Sequence, residues 1–482
     1  MLTSSLILIP LIGAALGLLA KGNNSKIVAL LVALVNLVLT GILISQFNPA
    51  GGVQFEQNCS WIPSLGVNYH VGIDGISILM VLLANIAGPL IILSQFNRDI
   101  ERAHIYNALI LFMQAAMIGV FVSLDGFLYY IFWELALIPI FFLMLGWGGP
   151  NRQAVTLKFF LYTLAGSLFM LVGFVLLYVN SGGAGFDHSV LVGLQLDETT
   201  QRIIFGLLFI AFAIKMPIFP FHSWQPGAYT EAPTQGTMLL SGVMLKMGIY
   251  SVFRWILPIV PDAVSYFSTL IIVLSVIGII YGSWIAIRQK DLKTLFAFAS
   301  FAHVGLIAAG LFTNNAQGLQ GALIQSLVHG INAIGLFYCA DIIQNRLGDR
   351  LVDGKGGIRL IAPAFATLFI IVLFGTVALP LTNGFVGEFL LLAGIADYSI
   401  VLSGVAGLTV ILCAVYMLRS YQYVMLGENS RSVSFTFPDL VLSEKITLII
   451  IAALVIFIGV YPDPILKLTE PAVLQLLEQI NA

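Results

Sequence analysis

Residues Gln201–Phe221 read QRIIFGLLFIAFAIKMPIFPF. The apolar stretch after Arg202 is closed by Lys215 and then by two prolines, Pro217 and Pro220. A bilayer core of ~30 Å takes roughly 20 apolar residues in helix, because lipid satisfies no backbone group. The stretch therefore predicts a membrane-spanning helix. Each proline removes an internal hydrogen bond and clashes with the preceding turn, so the helix breaks just after its lysine. At membrane depth such breaks are tolerated where protein or water satisfies the freed groups, which places them beside cavities. An ordinary proline kink is the plainer alternative.

The rest of the chain has the same character. Of 482 residues, 59% are hydrophobic and 9% charged, against about 25% charged in a soluble domain. Too few polar residues remain to coat a soluble surface, so the chain reads as an all-α polytopic membrane protein, a single membrane domain over 1–482. A net charge of −2 without a basic run excludes nucleic acid as a partner. Cys59, Cys339 and Cys413 show neither CxxC pairing nor a histidine at metal spacing, so no metal site is expected. The run Leu2–Ala20 lacks the charged start and the cleavage site of a signal peptide, and reads as the first span. The stretch Asp353-Gly354-Lys355-Gly356-Gly357 lacks the upstream glycine and the Ser/Thr of a phosphate loop. With no dinucleotide fingerprint either, nothing in the chain is built to hold NADH, ATP, a flavin or an iron–sulfur cluster.

Apolar runs predict fourteen transmembrane helices, at 2–20, 27–47, 73–95, 104–124, 126–146, 156–180, 201–221, 231–257, 262–287, 293–313, 316–343, 360–396, 398–426 and 444–462. Lys and Arg favour the cytoplasmic side. With both termini outside, sixteen of the 21 basic residues fall inside, among them Lys21, Lys26, Lys293, Lys355 and Arg431, while Arg202, Arg254 and Lys467 stay outside. A miscounted span would scramble that alternation. The outer loop holding Trp61, Pro63 and Asn68 is too short to be a domain. Residues 464–481 are expected to form a short surface helix. Short loops and an unprocessed start fit the cell inner (cytoplasmic) membrane, an organelle inner membrane being the alternative.

Lys215 and Lys246 fall within spans, as do Glu134 and Glu388. Each would cost about 2.5–3.5 kcal/mol at mid-bilayer without a partner or water, so four together call for a function. Singly, each carboxyl could be a neutral acid hydrogen-bonded between helices, and each lysine a long side chain reaching a polar pocket. Glu388 follows a second break, Ala378-Leu379-Pro380-Leu381-Thr382-Asn383-Gly384. The breaks lie in spans seven and twelve, five apart. Two five-helix repeats, spans 4–8 (104–257) and 9–13 (262–426), would place them equivalently, and an odd period inverts the second copy, a transporter architecture. His303 and His329 titrate near neutrality and suit a relay. Satisfied core histidines are the plain alternative, and ligation of a haem would need an electron path that nothing else supports. His222 is placed near the inner end of the seventh span. Asp74, Asp341 and Glu231 sit at span ends, where capping or loop anchoring is the default.

Five stretches in this order resemble a known family: Ile131-Phe132-Trp133-Glu134-Leu135, Lys215-Met216-Pro217 through His222-Ser223-Trp224, Glu231-Ala232-Pro233-Thr234, Lys246-Met247-Gly248 and Phe385-Val386-Gly387-Glu388-Phe389. They are similar to the antiporter-like, proton-pumping membrane subunits of respiratory complex I, NADH:quinone oxidoreductase, over nearly the whole chain. Glu rather than Lys at 388, and the lack of residues for a long lateral helix, resemble the M type (chain 4, ND4) most. The resemblance implies fourteen spans, two inverted repeats and a proton route. It makes Glu134 and Lys215 an ion pair, Lys246 the central relay, His303 and His329 connecting groups and Glu388 the group near the outer exit. It implies no redox cofactor here, with NADH, FMN, iron–sulfur clusters and quinone held by other subunits, and L-type and N-type chains as neighbours. A multisubunit cation/proton antiporter subunit shares nearly the same motifs. A solute transporter would instead need a central recognition pocket, and an inactive scaffold would tolerate loss of either lysine.

Overall fold

A computed structural model describes residues 1–20, 22–353, 356–427 and 437–481. Lys21, Gly354, Lys355 and Arg431, discussed above, lie outside the described residues. Chain order is α1 (Leu2–Leu19), α2 (Asn23–Gln46), β1 (Gln54–Ile62), β2 (Val67–Ile73), α3 (Ser77–Leu93), α4 (Ala103–Val122), α5 (Gly126–Trp147), α6 (Arg152–Asn180), α7 (Glu198–Lys215), α8 (Gln225–Glu231), α9 (Thr234–Ile256), α10 (Pro261–Arg288), α11 (Leu292–Leu311), α12 (Ala316–Leu347), α13 (Pro363–Val377), α14 (Asn383–Tyr398), α15 (Ile400–Met425), α16 (Leu442–Val460) and α17 (Asp463–Asn481).

Short polar side chains start the helices that matter most. Asp125 accepts the backbone N–H groups of Phe127 and Leu128 at 2.9 and 3.0 Å ahead of α5, Asp291 that of Thr294 at 2.8 Å ahead of α11, and Asn315 that of Gly318 at 2.8 Å ahead of α12. Such caps satisfy donors that the first turn leaves orphaned. Proline at the first helical position opens α10 and α13. The predicted twelfth span is two pieces: α13 stops at Ala378 (φ +59°), Pro380 and Leu381 (φ +72°) carry the chain round, and α14 resumes at Asn383. Reciprocal amide bonds of 3.1 Å between Asn332 of α12 and Asn383 fix the restart.

Among the described residues, eleven helices are long and apolar enough to cross a membrane, where fourteen were expected. The shortfall has physical causes. Helices α3 and α13 are apolar but short, and α7 carries Glu198, Arg202 and Lys215 within its 18 residues. Helices α9 and α12 are enclosed on all sides, whereas α2 and α15 turn most of their surface outward.

One element departs from the all-α expectation. The loop expected on the outer side is an antiparallel hairpin, β1 on β2, with Gln57 opposite Val71 and Ser60 opposite Asn68. Its link, Pro63–Leu65 then Gly66 at φ +62°, gave no short hairpin signature in the sequence. Helix α17 lies against the bundle through Thr469, Val473 and Leu476, and Gln320 of α12 donates to its Leu466 O and Thr469 Oγ1 at 2.9 Å each.

Candidate functional site

Lys215 is the last residue of α7, and Met216 N–H still bonds back to Phe212 O at 2.8 Å before Pro217 ends the helix. Its ammonium stands 4.9 Å from the centre of the Trp133 ring. Lys215 Nζ and Glu134 Oε1 are both buried without a hydrogen-bond partner in the protein, and no ion pair within 4.0 Å joins them. The two groups nonetheless stand within electrostatic reach of one another. The Lys215 ammonium rests over the Trp133 ring. A desolvated cation over an indole face gains about 2 kcal/mol, which holds it there.

Helix α9 brings Lys246 alongside. The two chains touch backbone to backbone at Gly248, where an added Cβ would fall 2.7 Å from Met216 N and 2.8 Å from Phe212 O. Within α9, residues Leu240–Met244 form a π turn, with Leu245 N–H bonding Leu240 O five residues back. Single π turns of this kind recur at functional sites. Fully buried Lys246 donates to Ser241 O at 2.6 Å and lies 2.8 Å from His329 Nδ1 on α12.

The row continues across the bundle. The His329 and His303 rings have centroids 6.0 Å apart at a tilt of 52°. His303 Nδ1 on α11 is 3.1 Å from Glu388 Oε1 on α14, out of line for a hydrogen bond, so neither atom counts as partnered. Glu388 is held inward because Gly387 packs directly on Gln325 of α12. Between the histidines lies a cavity of about 20 Å³ lined by Ser300, Gln325, Asn332 and Thr376 among others, above the roughly 10–15 Å³ that one water occupies. Lys246, His329, His303 and Glu388 thus form one polar chain, with Lys215 and Glu134 a separate group beyond Gly248. Such a chain can accept a proton at one end and give one up at the other.

Several polar residues outside the predicted set are engaged as well. Cys413 lies 3.5 Å from His303 Nε2. Lys293, placed in the sequence with the inner loops, is buried and donates to Ala232 O. Asp74 caps α3 through Ser77 N–H at 2.9 Å and also pairs with Arg254 at 2.7 Å. Arg254 is thus buried, and bonded to Tyr250 OH at 3.0 Å as well. Asp341 joins Arg98 and Thr234, and His222 stacks on Phe301 at 4.4 Å. Asn36, Asn85 and Gln114 tie α2, α3 and α4 together by amide bonds of 2.8 Å. For Asp74, Arg254, Lys293 and Asp341 no sequence signal marks them off from loop or capping residues, whereas Asn36, Asn85 and Gln114 stand mid-span, where an amide within an apolar run was a signal left unread. Among the described residues no cluster of three or more His, Cys, Asp or Glu side chains could hold a metal ion.

On the hairpin, His70 lies between Glu56, at 2.8 Å, and Asp187. Burial works against its charge, but the two carboxylates outweigh burial and raise it above the ordinary histidine range. Burial likewise opposes the charge on Asp187, and the His70 contact overrides it, drawing the carboxyl down to about 2.

The family described as NADH:quinone oxidoreductase/Mrp antiporter, transmembrane, matches residues 123–413, which hold every site residue named above from Glu134 to Glu388. NADH-quinone oxidoreductase subunit M of Rhodobacter capsulatus is 37% identical over all of this chain and 97% of its own length. The subunit M of Rickettsia typhi is 36% identical over 95% of this chain and 94% of its own. A chain of the respiratory complex I of Thermus thermophilus, solved with bound NADH, superposes with a TM-score of 0.93 at 29% identity, covering each chain completely. With the broken helices and the buried lysine–histidine–glutamate row in place, the chain belongs to the NADH-quinone oxidoreductase subunit M family of antiporter-like membrane proteins.

Proposed function

We propose that this chain moves protons across the membrane through Lys246, His329, His303 and Glu388, with Glu134 and Lys215 controlling loading, as a membrane-arm subunit of NADH:quinone oxidoreductase. The observation that carries the reading is the contiguous buried row, with Lys246 at 2.8 Å from His329 and His303 at 3.1 Å from Glu388. Lys215 lacks a direct counter-ion, and a carboxylate approaching it would favour its protonated form while retreat would favour release. A proton released there passes Gly248 to Lys246. From Lys246 it reaches His329 Nδ1, then His303 by way of water in the intervening cavity, and leaves from Glu388.

Fourteen crossings follow if α3, the broken pair α7–α8 and the broken pair α13–α14 are counted with the eleven longer helices. Segments 104–257 and 262–426 are then inverted repeats, with Lys215 and Glu388 each beside a break. The bias of Lys and Arg puts both termini outside the cell inner membrane. NADH, FMN, iron–sulfur clusters and quinone belong to partner subunits, and the neighbours in the membrane are L-type and N-type chains.

The test is the assembled complex in liposomes, with NADH oxidation and proton uptake measured together. Lys246→Ala is expected to assemble and to pump fewer protons per NADH. An unchanged ratio in Lys246→Ala and Glu134→Ala would overturn the relay and leave a scaffold.

A further inference from the structure

His303 has a polar neighbour besides Glu388. Its Nε2 lies 3.5 Å from the thiol of Cys413, on α15, and that thiol is also 3.5 Å from Thr376 O. Three residues on, Tyr416 is 1% exposed and faces Cys413 and Ser283 of α10. Positions three apart share a helix face, so thiol and phenol stand in one column between α10 and α15. The Tyr416 hydroxyl and Ser283 Oγ are both buried with no hydrogen-bond partner in the protein. On its other side Tyr416 walls a pocket of about 150 Å³ that opens between Arg288, Lys290, Asp353 and Arg419. These residues lie at the end of the bundle assigned to the inside.

We infer that this pocket is a second proton inlet, feeding the Glu388 end of the relay from the inner face by way of Tyr416 and Cys413 without passing Lys246. The inference rests on the relay reading above. Each group hands on one proton as it takes another from behind: water gives to the Tyr416 oxygen, the Tyr416 hydroxyl, once rotated onto Cys413, gives to its sulfur, and the thiol gives to Nε2 of a His303 whose Nδ1–H faces Glu388. Imidazole then gives its Nδ1 proton to the carboxylate and is left with its proton on Nε2, a tautomer that must be reset before the next transfer, while the hydroxyl and thiol end as they began. Lys246 and this inlet thus converge on His303.

The experiment compares variants of the assembled complex in liposomes by protons pumped per NADH, with subunit content checked on the same samples. Tyr416→Phe, Cys413→Val and Ser420→Leu, the last at the pocket wall away from His303, are each expected to lower the ratio toward that of Lys246→Ala. Cys413→Ser, which keeps a proton-carrying group, is expected to recover most of the loss seen with valine. If Lys246→Ala lowers the ratio and the three inlet variants do not, the inlet is wrong and the relay stands. If Lys246→Ala leaves the ratio intact too, the relay itself is wrong. A loss confined to Cys413→Val would make the thiol a positioning residue for His303 and overturn the inlet.

Discussion

His303 Nδ1 and Glu388 Oε1 face each other at 3.1 Å across α11 and α14 without completing a hydrogen bond. The two are close enough for a small rotation to align them, so proton passage between them can be switched by side-chain motion alone. Glu388→Gln keeps the shape and removes the accepting carboxylate. The expected result is normal assembly, NADH oxidation within about two-fold of the parent, and fewer protons pumped per NADH, with Glu388→Asp intermediate. Liposome assays read all three quantities.

Gly248 sets the distance between Lys246 and Lys215. A methyl there would meet backbone atoms of Met216 and Phe212 below 3 Å, and backbone yields less readily than a side chain. Overpacking of this kind costs roughly 1–3 kcal/mol. Gly248→Ala is expected to lower thermal stability of the purified complex and to depress pumping more than NADH oxidation. A variant matching the parent in both would show that the two helices need not touch.

Arg254 and Asp74 form a buried pair at 2.7 Å. Removing one partner of a buried pair strands the other's charge, a loss of about 3–5 kcal/mol. Arg254→Met is therefore expected to reduce the amount of assembled subunit in membranes, and the double variant Arg254→Met/Asp74→Asn to recover part of it. Immunoblots of membranes against a second subunit measure this, and equal losses in single and double variants would contradict it.

His70 and Asp187 give the hairpin a pH dependence with a definite sign. A raised histidine stabilises fully below its unfolded value of 6.5 and loses its contribution as pH climbs through the higher folded value. A depressed carboxyl stabilises above its unfolded 3.8 and fails as pH falls through about 2. Docking is then strongest between about 4 and 6.5 and weakens on the alkaline side. Hydrogen exchange of residues 54–73, corrected for the intrinsic rate, should rise toward alkaline pH in the parent and be high and flat in His70→Gln. Equal protection in the two proteins would remove the interaction.

Much of the site was legible because charge in a hydrocarbon environment is conspicuous. Lys246, His303, His329 and Glu388 announced themselves as ionisable residues in apolar runs, and the prolines at 217 and 380 marked both breaks. What escaped detection depended on contacts between distant parts of the chain. Cys413 looks like any small apolar residue until α15 sets it against His303. Arg254 and Lys293 read as residues of span ends, since nothing nearby in sequence reveals Asp74 or Ala232 O. The hairpin was hidden because its turn lacks Asn-Gly or Asp-Gly chemistry. Trp133 beside the Lys215 ammonium was equally hidden, since nothing in the sequence says which aromatic ring a buried lysine will meet.

The matched amides of Asn332, which lines the histidine cavity, and Asn383 rivet the interrupted helix to its neighbour. An interruption fastened in this way is no hinge. If protons cross this half of the subunit, the fastened break favours transfer by reoriented protons and dipoles over a swinging lever. An adjoining subunit would register such a change as a shift in electric potential, arriving without any mechanical stroke.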